Sequence, residues 1–254
     1  MTQKLAFIAG ETAEAQDAQA ALVARYGGVE AADADVIVAL GGDGKTLETL
    51  RRFMNSGKRV FGMNCGSTGF LLNDFGTEDL EARIAAAQVS ELHPLKMVAT
   101  DASGKTHEAA AINEVSMLRE TSQVAKIEIR VDDKPRMPEL VCDGLLLATP
   151  AGSTAYNLSA HGPILPIGAS LLALTPISPF RPRRWRGALL RDTAVVKCTM
   201  LEADKRPVSV CADHVEFRDI HHVMISQDFD SRMLLLYDGA RSLEERVLNE
   251  QFMS

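Results

Sequence analysis

The sequence lacks clustered cysteines. It has 254 residues and only four cysteines, and no two of them form a CxxC pair. A disulfide framework or a zinc site uses closely spaced cysteines, so we predict neither, and we expect reduced thiols in a cytoplasmic protein. The four residues are Cys65, Cys142, Cys198 and Cys211.

A long apolar run is also missing. The best candidate, residues 163–177, is interrupted by Pro166, Gly168 and Pro176, whereas a membrane-spanning helix needs about 20 predominantly apolar residues. The apolar stretch near the N-terminus is too short for a signal peptide. We therefore expect no membrane-spanning segment and no membrane partner.

Positive charge is not in excess. The chain has 27 Lys and Arg against 34 Asp and Glu, a net charge of −7, which argues against nucleic acid as a partner. Arginines cluster only in residues 180–187, around Trp185. This cluster is interpreted either as a clamp for donor phosphates or, the favoured interpretation, as an exposed loop or subunit contact. Its members are Arg181, Arg183, Arg184 and Arg186.

The first third of the chain alternates apolar runs with helix-favouring stretches. This order predicts an α/β domain with a parallel sheet that is covered on both faces. We predict strands over residues 5–9, 35–40 and 59–63, and helices over 11–26, 46–54 and 78–88, the last capped by Thr77.

The character of the sequence changes near residue 94. Many short strand-like segments follow, and apolar residues alternate with charged ones in residues 124–131, which predicts an all-β, sandwich-like second domain. The predicted strands are 95–100, 109–118, 124–131, 139–149, 194–200, 208–217 and 223–227.

The end of the chain returns to the first pattern. Residues 233–237 are continuously apolar, and Ser242 is predicted to begin a helix over 243–252. We therefore predict an α/β domain of residues 1–94 and 233–254, and a β-rich domain of residues 95–232.

A glycine-rich turn separates the second predicted strand from the next helix. Gly41, Gly42 and Gly44 would let a ligand approach the backbone, and the helix start offers free N–H groups to a phosphate. Asp43 would place negative charge beside that phosphate. It is better explained as a group that accepts a proton from an alcohol or helps to hold Mg²⁺. A plain turn capped by Asp43 is the alternative.

A phosphate-loop pattern overlaps this turn but is incomplete. Residues 39–46 differ by one substitution from GxxxxGK[ST]. Ala39 is expected inside the strand, which leaves a loop too short to wrap a phosphate. Lys45 is able to reach a phosphate, although a solvated surface lysine is the favoured interpretation.

Two further segments carry polar residues next to apolar strands. Asn113 and Glu114 match a base edge and ribose hydroxyls, or form a turn that is satisfied internally. In residues 149–156, Gly152, Ser153 and Thr154 are able to present amides and hydroxyls to a phosphate or sugar.

These motifs together resemble those of the NAD kinase family, in its bacterial type. The match comprises GGDG at residues 41–44, Asn113 with Glu114, TPxGSTAY at residues 149–156 and an Asp-centred turn at 212–214. GGDG also occurs in phosphofructokinase-like and lipid kinases, so the TPxGSTAY stretch gives the match its specificity. The resemblance spans nearly the whole chain and implies an α/β domain followed by a β-sandwich-like domain.

The resemblance also implies an activity. It is phosphorylation of the adenosine ribose 2′-hydroxyl of NAD⁺, which gives NADP⁺. The donor would be ATP or polyphosphate with Mg²⁺, and the metal would travel with the nucleotide because no carboxylate cage is visible. The choice between NAD⁺ and NADH, and between a homodimer and a homotetramer, stays open.

Site residues follow from the matched motifs. Asp43 looks like the general base on the 2′-hydroxyl, and Asn113 and Glu114 are similar to the residues that hold the adenine and its ribose. Donor-phosphate candidates are Gly41, Gly42 and Lys45. The other matches to the substrate site are Gly44, Asp143, Thr154, Ala155, Tyr156, Ser159, Asp213 and His214.

Two rival functions remain at this point. A kinase of the same superfamily that acts on a lipid or sugar would leave Asn113, Glu114 and residues 149–156 without a role. A non-catalytic module that senses NAD(P)(H) would have no use for Asp43. Formation of NADP⁺ distinguishes the enzyme from the sensor.

Overall fold

The structure is a computed structural model that describes residues 3–66 and 69–238. The chain divides into two compact units. The first contains Met1–Leu92 and the segment that begins at Ser231, and the second is His93–Asp230. No helix in these described ranges is long and apolar enough to cross a membrane.

The first unit is built on one sheet with helices. Its strands are β1 (Leu5–Ala9), β2 (Val36–Gly41), β3 (Arg59–Asn64), β4 (Gln88–Leu92) and β17 (Met233–Tyr237), and its helices are α1 (Ala13–Tyr26), α2 (Asp43–Arg52) and α3 (Leu80–Ala86). The strand order is β1-β2-β3-β17-β4, with β4 antiparallel to β17 and the other pairs parallel. The side chains of β2 from Val36 to Leu40 are fully buried, as expected for a strand covered on both faces.

The first three predicted strands are confirmed, whereas the helix boundaries differ. The second helix begins at Asp43 rather than at Thr46, because Gly42 already serves as its N-cap. The helix predicted over 78–88 spans only Leu80–Ala86. Its N-cap is Asp79 rather than Thr77, whose carbonyl oxygen instead accepts a hydrogen bond from the hydroxyl of Tyr26 at 2.9 Å. The helix predicted over 243–252 lies outside the described residues.

The second unit consists of two antiparallel sheets. The strands are β5 (Leu95–Asp101), β6 (Thr106–Ala111), β7 (Glu114–Arg119), β8 (Ala125–Val131), β9 (Lys134–Cys142), β10 (Gly144–Ala148), β11 (Leu171–Ile177), β12 (Ala188–Arg191), β13 (Val196–Met200), β14 (Val208–Ala212), β15 (Val215–Phe217) and β16 (Ile220–Gln227). One sheet has the order β12-β11-β10-β7-β14-β15 and the other the order β6-β5-β16-β13-β8-β9.

One apolar core joins the two sheets into a sandwich. Met97 and Ile127 come from one sheet, and Met117 and Leu145 come from the other. Buried and partly exposed residues alternate along β8, as its sequence predicts. Together with the return of β17 to the first sheet, this sandwich confirms the predicted fold class.

Three predicted strands are each broken in two. The break in 109–118 falls at Ile112 and Asn113, the break in 139–149 falls at Asp143, and the break in 208–217 falls at Asp213 and His214. Each break therefore contains a residue that the sequence had marked as a site candidate. A 3₁₀ helix (Ala151–Thr154) and α4 (Tyr156–Ser159) follow β10.

Candidate active site

The glycine turn of the first unit leaves the start of α2 open. A Cβ added to Gly42 or Gly44 would meet no atom of the described residues within 4 Å apart from the backbone of α2 itself, so the packing of those residues does not require glycine at either position. Gly41 does need it, because its φ is +153° and an added Cβ would lie 3.1 Å from the Lys45 Cβ. The first amides of a helix have no intrahelical acceptor, so this N-terminus is suited to an anionic ligand.

Asp43 is fixed by the loop that follows β3. Its Oδ1 accepts the amide of Leu71 and its Oδ2 accepts the amide of Phe70, both at 2.8 Å. Each carboxylate oxygen has a second lone pair, so the group remains able to accept a proton. The loop leaves little room around it, since a Cβ on Gly69 would lie 2.9 Å from Oδ1.

Lys45 points to a neighbour on its own helix. Its Nζ lies 3.1 Å from both carboxylate oxygens of Glu48. The lysine is partly buried and Glu48 is exposed. A pair of this kind contributes little to stability, and it can open to let the ammonium group bind another anion.

In the second unit, the backbone of Asn113 and Glu114 is held from two sides. The Asp213 carboxylate accepts the amides of Asn113 at 2.9 Å and Glu114 at 3.3 Å. From the other side, the Thr149 amide donates to the Asn113 carbonyl at 2.9 Å, and the Thr149 hydroxyl donates to the Ile112 carbonyl at 2.7 Å. This dipeptide is therefore a rigid element of the unit.

The side chains of the same dipeptide are not satisfied within the protein. The Asn113 Oδ1 and the Glu114 Oε2 are buried and have no hydrogen-bond partner among the described residues. Burial, and then the Asp213 carboxylate, raise the pKa of Glu114 to about 7. Because buried polar atoms normally have partners, these two atoms indicate a site for a polar ligand. The alternative of an internally satisfied turn therefore holds for the backbone but not for the side chains.

Part of the 149–156 segment is structural. Ser153 is fully buried; its hydroxyl donates to the Pro150 carbonyl at 2.7 Å and accepts the Leu165 amide at 2.9 Å. The expectation that Ser153 presents its hydroxyl to a ligand is thus wrong. Gly152 is equally constrained, because an added Cβ would lie 2.1 Å from the Asn113 carbonyl oxygen.

The other candidates of this unit are more accessible. Thr154, Ala155 and Tyr156 are partly exposed, and Ser159 and His214 are exposed. Burial raises the pKa of Tyr156, and the charges of Glu114 and Asp143 add to the shift, so the phenol lies near both carboxylates. Asp143 forms an ion pair with Arg119, with 2.6 Å between Oδ1 and Nε.

The arginine cluster is a surface feature. Its four arginines are exposed, and the guanidinium groups of Arg181 and Arg183 lie over the ring of Phe180, at 5.5 and 5.0 Å from its centroid. Trp185 packs against the core of the sandwich.

Sequence reasoning missed the residues that act through their backbone. The amides of Phe70 and Leu71 hold Asp43 from 27 and 28 residues away, and an amide carries no signal in the sequence. Thr149 lies inside the recognised motif, but only the structure shows that its hydroxyl holds the Ile112 carbonyl. Within the described ranges, no group of three or more His, Cys, Asp or Glu side chains is arranged to hold a metal ion.

Comparison with known proteins identifies the class. A model of the ATP-NAD kinase N-terminal domain matches residues 3–93, and a model of the ATP-NAD kinase C-terminal domain matches residues 112–226. NAD kinase of Caulobacter vibrioides is 59% identical over 98% of this chain and 96% of its own length. NAD kinase of Hyphomonas neptunium is 55% identical over 98% of both chains.

Solved structures share the fold. Yeast NADH kinase complexed with NADH has a TM-score of 0.74 and 23% identity over 87% of this chain and 67% of its own. An NAD kinase from Archaeoglobus fulgidus in complex with ATP has a TM-score of 0.72 and 23% identity over 97% of this chain and 96% of its own.

The two matched domains define a phosphotransferase of the ATP-NAD kinase class. The chain belongs to the NAD kinase family, and NAD kinase activity is its function. The resemblance stated from the motifs is confirmed.

Proposed function

We propose that this NAD kinase transfers the terminal phosphoryl group of ATP to the 2′-hydroxyl of the adenosine ribose of NAD⁺, giving NADP⁺ and ADP. The observation that carries the proposal is the Asp43 carboxylate, which two amides fix at the open N-terminus of α2. The two similar solved structures support the substrates, since one is a complex with NADH and the other a complex with ATP.

Asp43 acts as the general base in this proposal. As the ribose oxygen bonds to the phosphorus, the bond to the ADP oxygen breaks and the hydroxyl proton moves to Asp43. Phosphoryl transfer has a loose transition state that places modest demands on the base. A positioned base still contributes roughly 10²–10⁴-fold to the rate.

The start of α2 binds the donor phosphates. The residues assigned to these phosphates are Gly41, Gly42 and Lys45. Gly42 and Gly44 leave the first amides of the helix accessible, and Lys45 is able to leave Glu48 for a phosphate. The described side chains do not form a metal cage. We propose that Mg²⁺ enters bound to ATP, and we give no protein residue the role of metal ligand.

The dinucleotide is bound by the second set of residues. The Asn113 Oδ1 and the Glu114 Oε2, which have no partner among the described residues, bind the adenine and the ribose. Tyr156 provides an aromatic surface for a heterocycle. Further residues assigned to the dinucleotide are Asp143, Thr154, Ala155, Ser159 and His214.

The domains, the subunits and the cellular location are also assigned. We propose domain boundaries near residues 94 and 233, a homodimer or homotetramer in the cytoplasm, and a subunit contact at residues 180–187. The exposed arginines around the partly buried Trp185 support the last of these.

The test compares Asp43→Asn with Asp35→Asn. Asp35 is a matched control because its carboxylate also accepts a backbone amide of the first unit, that of Lys4 at 2.9 Å. We expect Asp43→Asn to remain folded and to lose about 10²–10⁴-fold in kcat, and Asp35→Asn to retain its turnover. Formation of NADP⁺ from NAD⁺, or of NADPH from NADH, is measured with Mg-ATP or with polyphosphate as the donor. Near-normal turnover of Asp43→Asn would remove Asp43 from the role of base.

A further inference from the structure

The link between β6 and β7 is an unusual point in the sandwich. The chain leaves one sheet at Ala111 and joins the other at Glu114. A backbone that changes sheets cannot continue its strand ladder, yet its buried amides still need acceptors. The amides of Ile112, Asn113 and Glu114 all donate to the Asp213 carboxylate, at 2.8, 2.9 and 3.3 Å.

Asp213 is itself held in place. It lies in the turn between β14 and β15 with a φ of +52°, a left-handed conformation that Asp and Asn adopt more readily than other non-glycine residues. Its amide donates to the Glu114 carbonyl at 3.1 Å. Both its backbone and its side chain are thus fixed against the dipeptide.

The groups that face Glu114 determine when it ionises. The charged one is Asp213, which with burial raises the pKa of Glu114 to about 7. The others are Tyr156 and Cys211, and both are affected by the charge of Glu114. Burial raises the pKa of each of these two groups, so they are neutral near pH 7.

We propose that Asp213 is a positioning residue that holds Asn113 and Glu114 in the orientation that receives the dinucleotide, and does not bind the dinucleotide itself. This inference rests on the proposed function, which assigns those two side chains to adenosine. It revises the role of Asp213 that the motif resemblance implied, since three amides already occupy its carboxylate.

The ionisation of Glu114 should affect kcat/KM for NAD⁺. Ionised Glu114 accepts hydrogen bonds from ribose hydroxyls more strongly than the neutral acid does. In the wild type, kcat/KM for NAD⁺ should therefore fall as the pH drops through about 7, the pKa of Glu114. We call this fall the acid limb of the pH profile. Removal of the Asp213 charge lowers the pKa of Glu114, so the acid limb should move to lower pH.

The experiment compares Asp213→Asn with Asp132→Asn. Asp132 has the same left-handed backbone, with a φ of +52°, and its carboxylate also accepts an amide, that of Val195 at 3.0 Å. Asparagine keeps the backbone conformation in both variants but turns one oxygen into a donor. We expect Asp213→Asn to raise KM for NAD⁺ about tenfold or more, to leave KM for ATP unchanged and to shift the acid limb. Asp132→Asn should match the wild type.

Two further variants separate the role of Glu114 from that of Asp213. Glu114→Gln should raise KM for NAD⁺ and abolish the limb near pH 7; if it changes neither, the proposed role of Glu114 is wrong. If Glu114→Gln behaves as expected while Asp213→Asn matches Asp132→Asn, the inference about Asp213 alone is wrong. Should Asp213→Asn not fold, Asp213→Glu, which keeps the charge, is expected to raise KM with the limb near pH 7 retained. Failure of both to fold would make Asp213 a structural residue only and overturn the inference.

Discussion

Gly44, at the start of α2 in the first unit, and Gly152, in the 3₁₀ helix of the second unit, both lie among candidate site residues, but their surroundings are opposite. A Cβ on Gly44 would meet no described residue outside α2 within 4 Å, whereas a Cβ on Gly152 would lie 2.1 Å from the Asn113 carbonyl oxygen. Gly44 therefore leaves space outside the protein, where a ligand can approach. Gly152 leaves space inside, where another backbone segment needs it.

The key carboxylates of the two units also differ, but in the opposite sense. Both oxygens of Asp43 accept backbone amides, whereas the Glu114 Oε2 is buried without a partner among the described residues. The first is a charged group that the protein has oriented in advance. The second needs a ligand to complete its hydrogen bonds.

The strongest test of the contrast between the glycines is Gly152→Ala. Its Cβ would overlap backbone that cannot move aside, so we expect a loss of about 3 kcal/mol or more in the free energy of unfolding of the second unit. Urea unfolding followed by the fluorescence of Trp185, the single tryptophan, measures this loss. Gly168→Ala, where a Cβ meets nothing within 4 Å, is the control. Equal stability of the two variants would contradict the expected clash between the Cβ at residue 152 and the Asn113 carbonyl oxygen.

The next test uses the pH dependence of stability. Because the folded-state pKa of Glu114 is raised from 4.5 to about 7, the folded state holds its proton more tightly than the unfolded state. The contribution to stability is full below pH 4.5 and is lost as the pH rises through about 7.

Glu114→Gln removes this dependence. At roughly 1.4 kcal/mol per pKa unit, the stability of the variant relative to the wild type should increase by up to about 3 kcal/mol between about pH 5 and about pH 8. Urea unfolding of both proteins without substrate, followed by Trp185 fluorescence, checks the sign. If the difference in the free energy of unfolding between the variant and the wild type does not change with pH, Glu114 ionises normally in the folded chain.

The smallest effect is expected for Gly44→Ala. Alanine is favoured over glycine in a helix by about 1 kcal/mol, so the variant should be as stable as the wild type or slightly more stable. Its methyl group would occupy the space proposed for the donor, and kcat/KM for ATP should fall about tenfold, a loss of about 1.4 kcal/mol. Steady-state kinetics with varied ATP measure it, with Gly168→Ala again as the control. Unchanged kinetics would place the donor elsewhere.

The sequence predicts the fold well where hydrophobic patterning is local. The buried run of β2 and the alternation in β8 are both visible in it. Strand β11 was not predicted, because Pro176 and the polar residues around it break the apolar run that contains it. The start of α2 was placed too late, because Gly42 acts as a cap without a side chain.

The candidate site is harder to predict than the fold. The side chains of Asn113, Glu114 and Asp43 are visible as polar residues in apolar or glycine-rich surroundings. The groups that hold these residues in place are not visible in the sequence. Every residue except proline has a backbone amide, so nothing marks those of Phe70 and Leu71, and Asp213 is 101 residues away from Ile112. Ser153 shows the opposite error, since a hydroxyl that looks suited to a ligand bonds instead to nearby backbone.

Strand β17 has a consequence for how the chain is made. It lies between β3 and β4 in the sheet of the first unit, but in the chain it follows the whole of the second unit. During synthesis from the N-terminus, His93–Asp230 is therefore complete before the first sheet can close. The nascent chain can complete its sandwich first, and the sheet that precedes Asp43 closes only after residues 233–237 have left the ribosome.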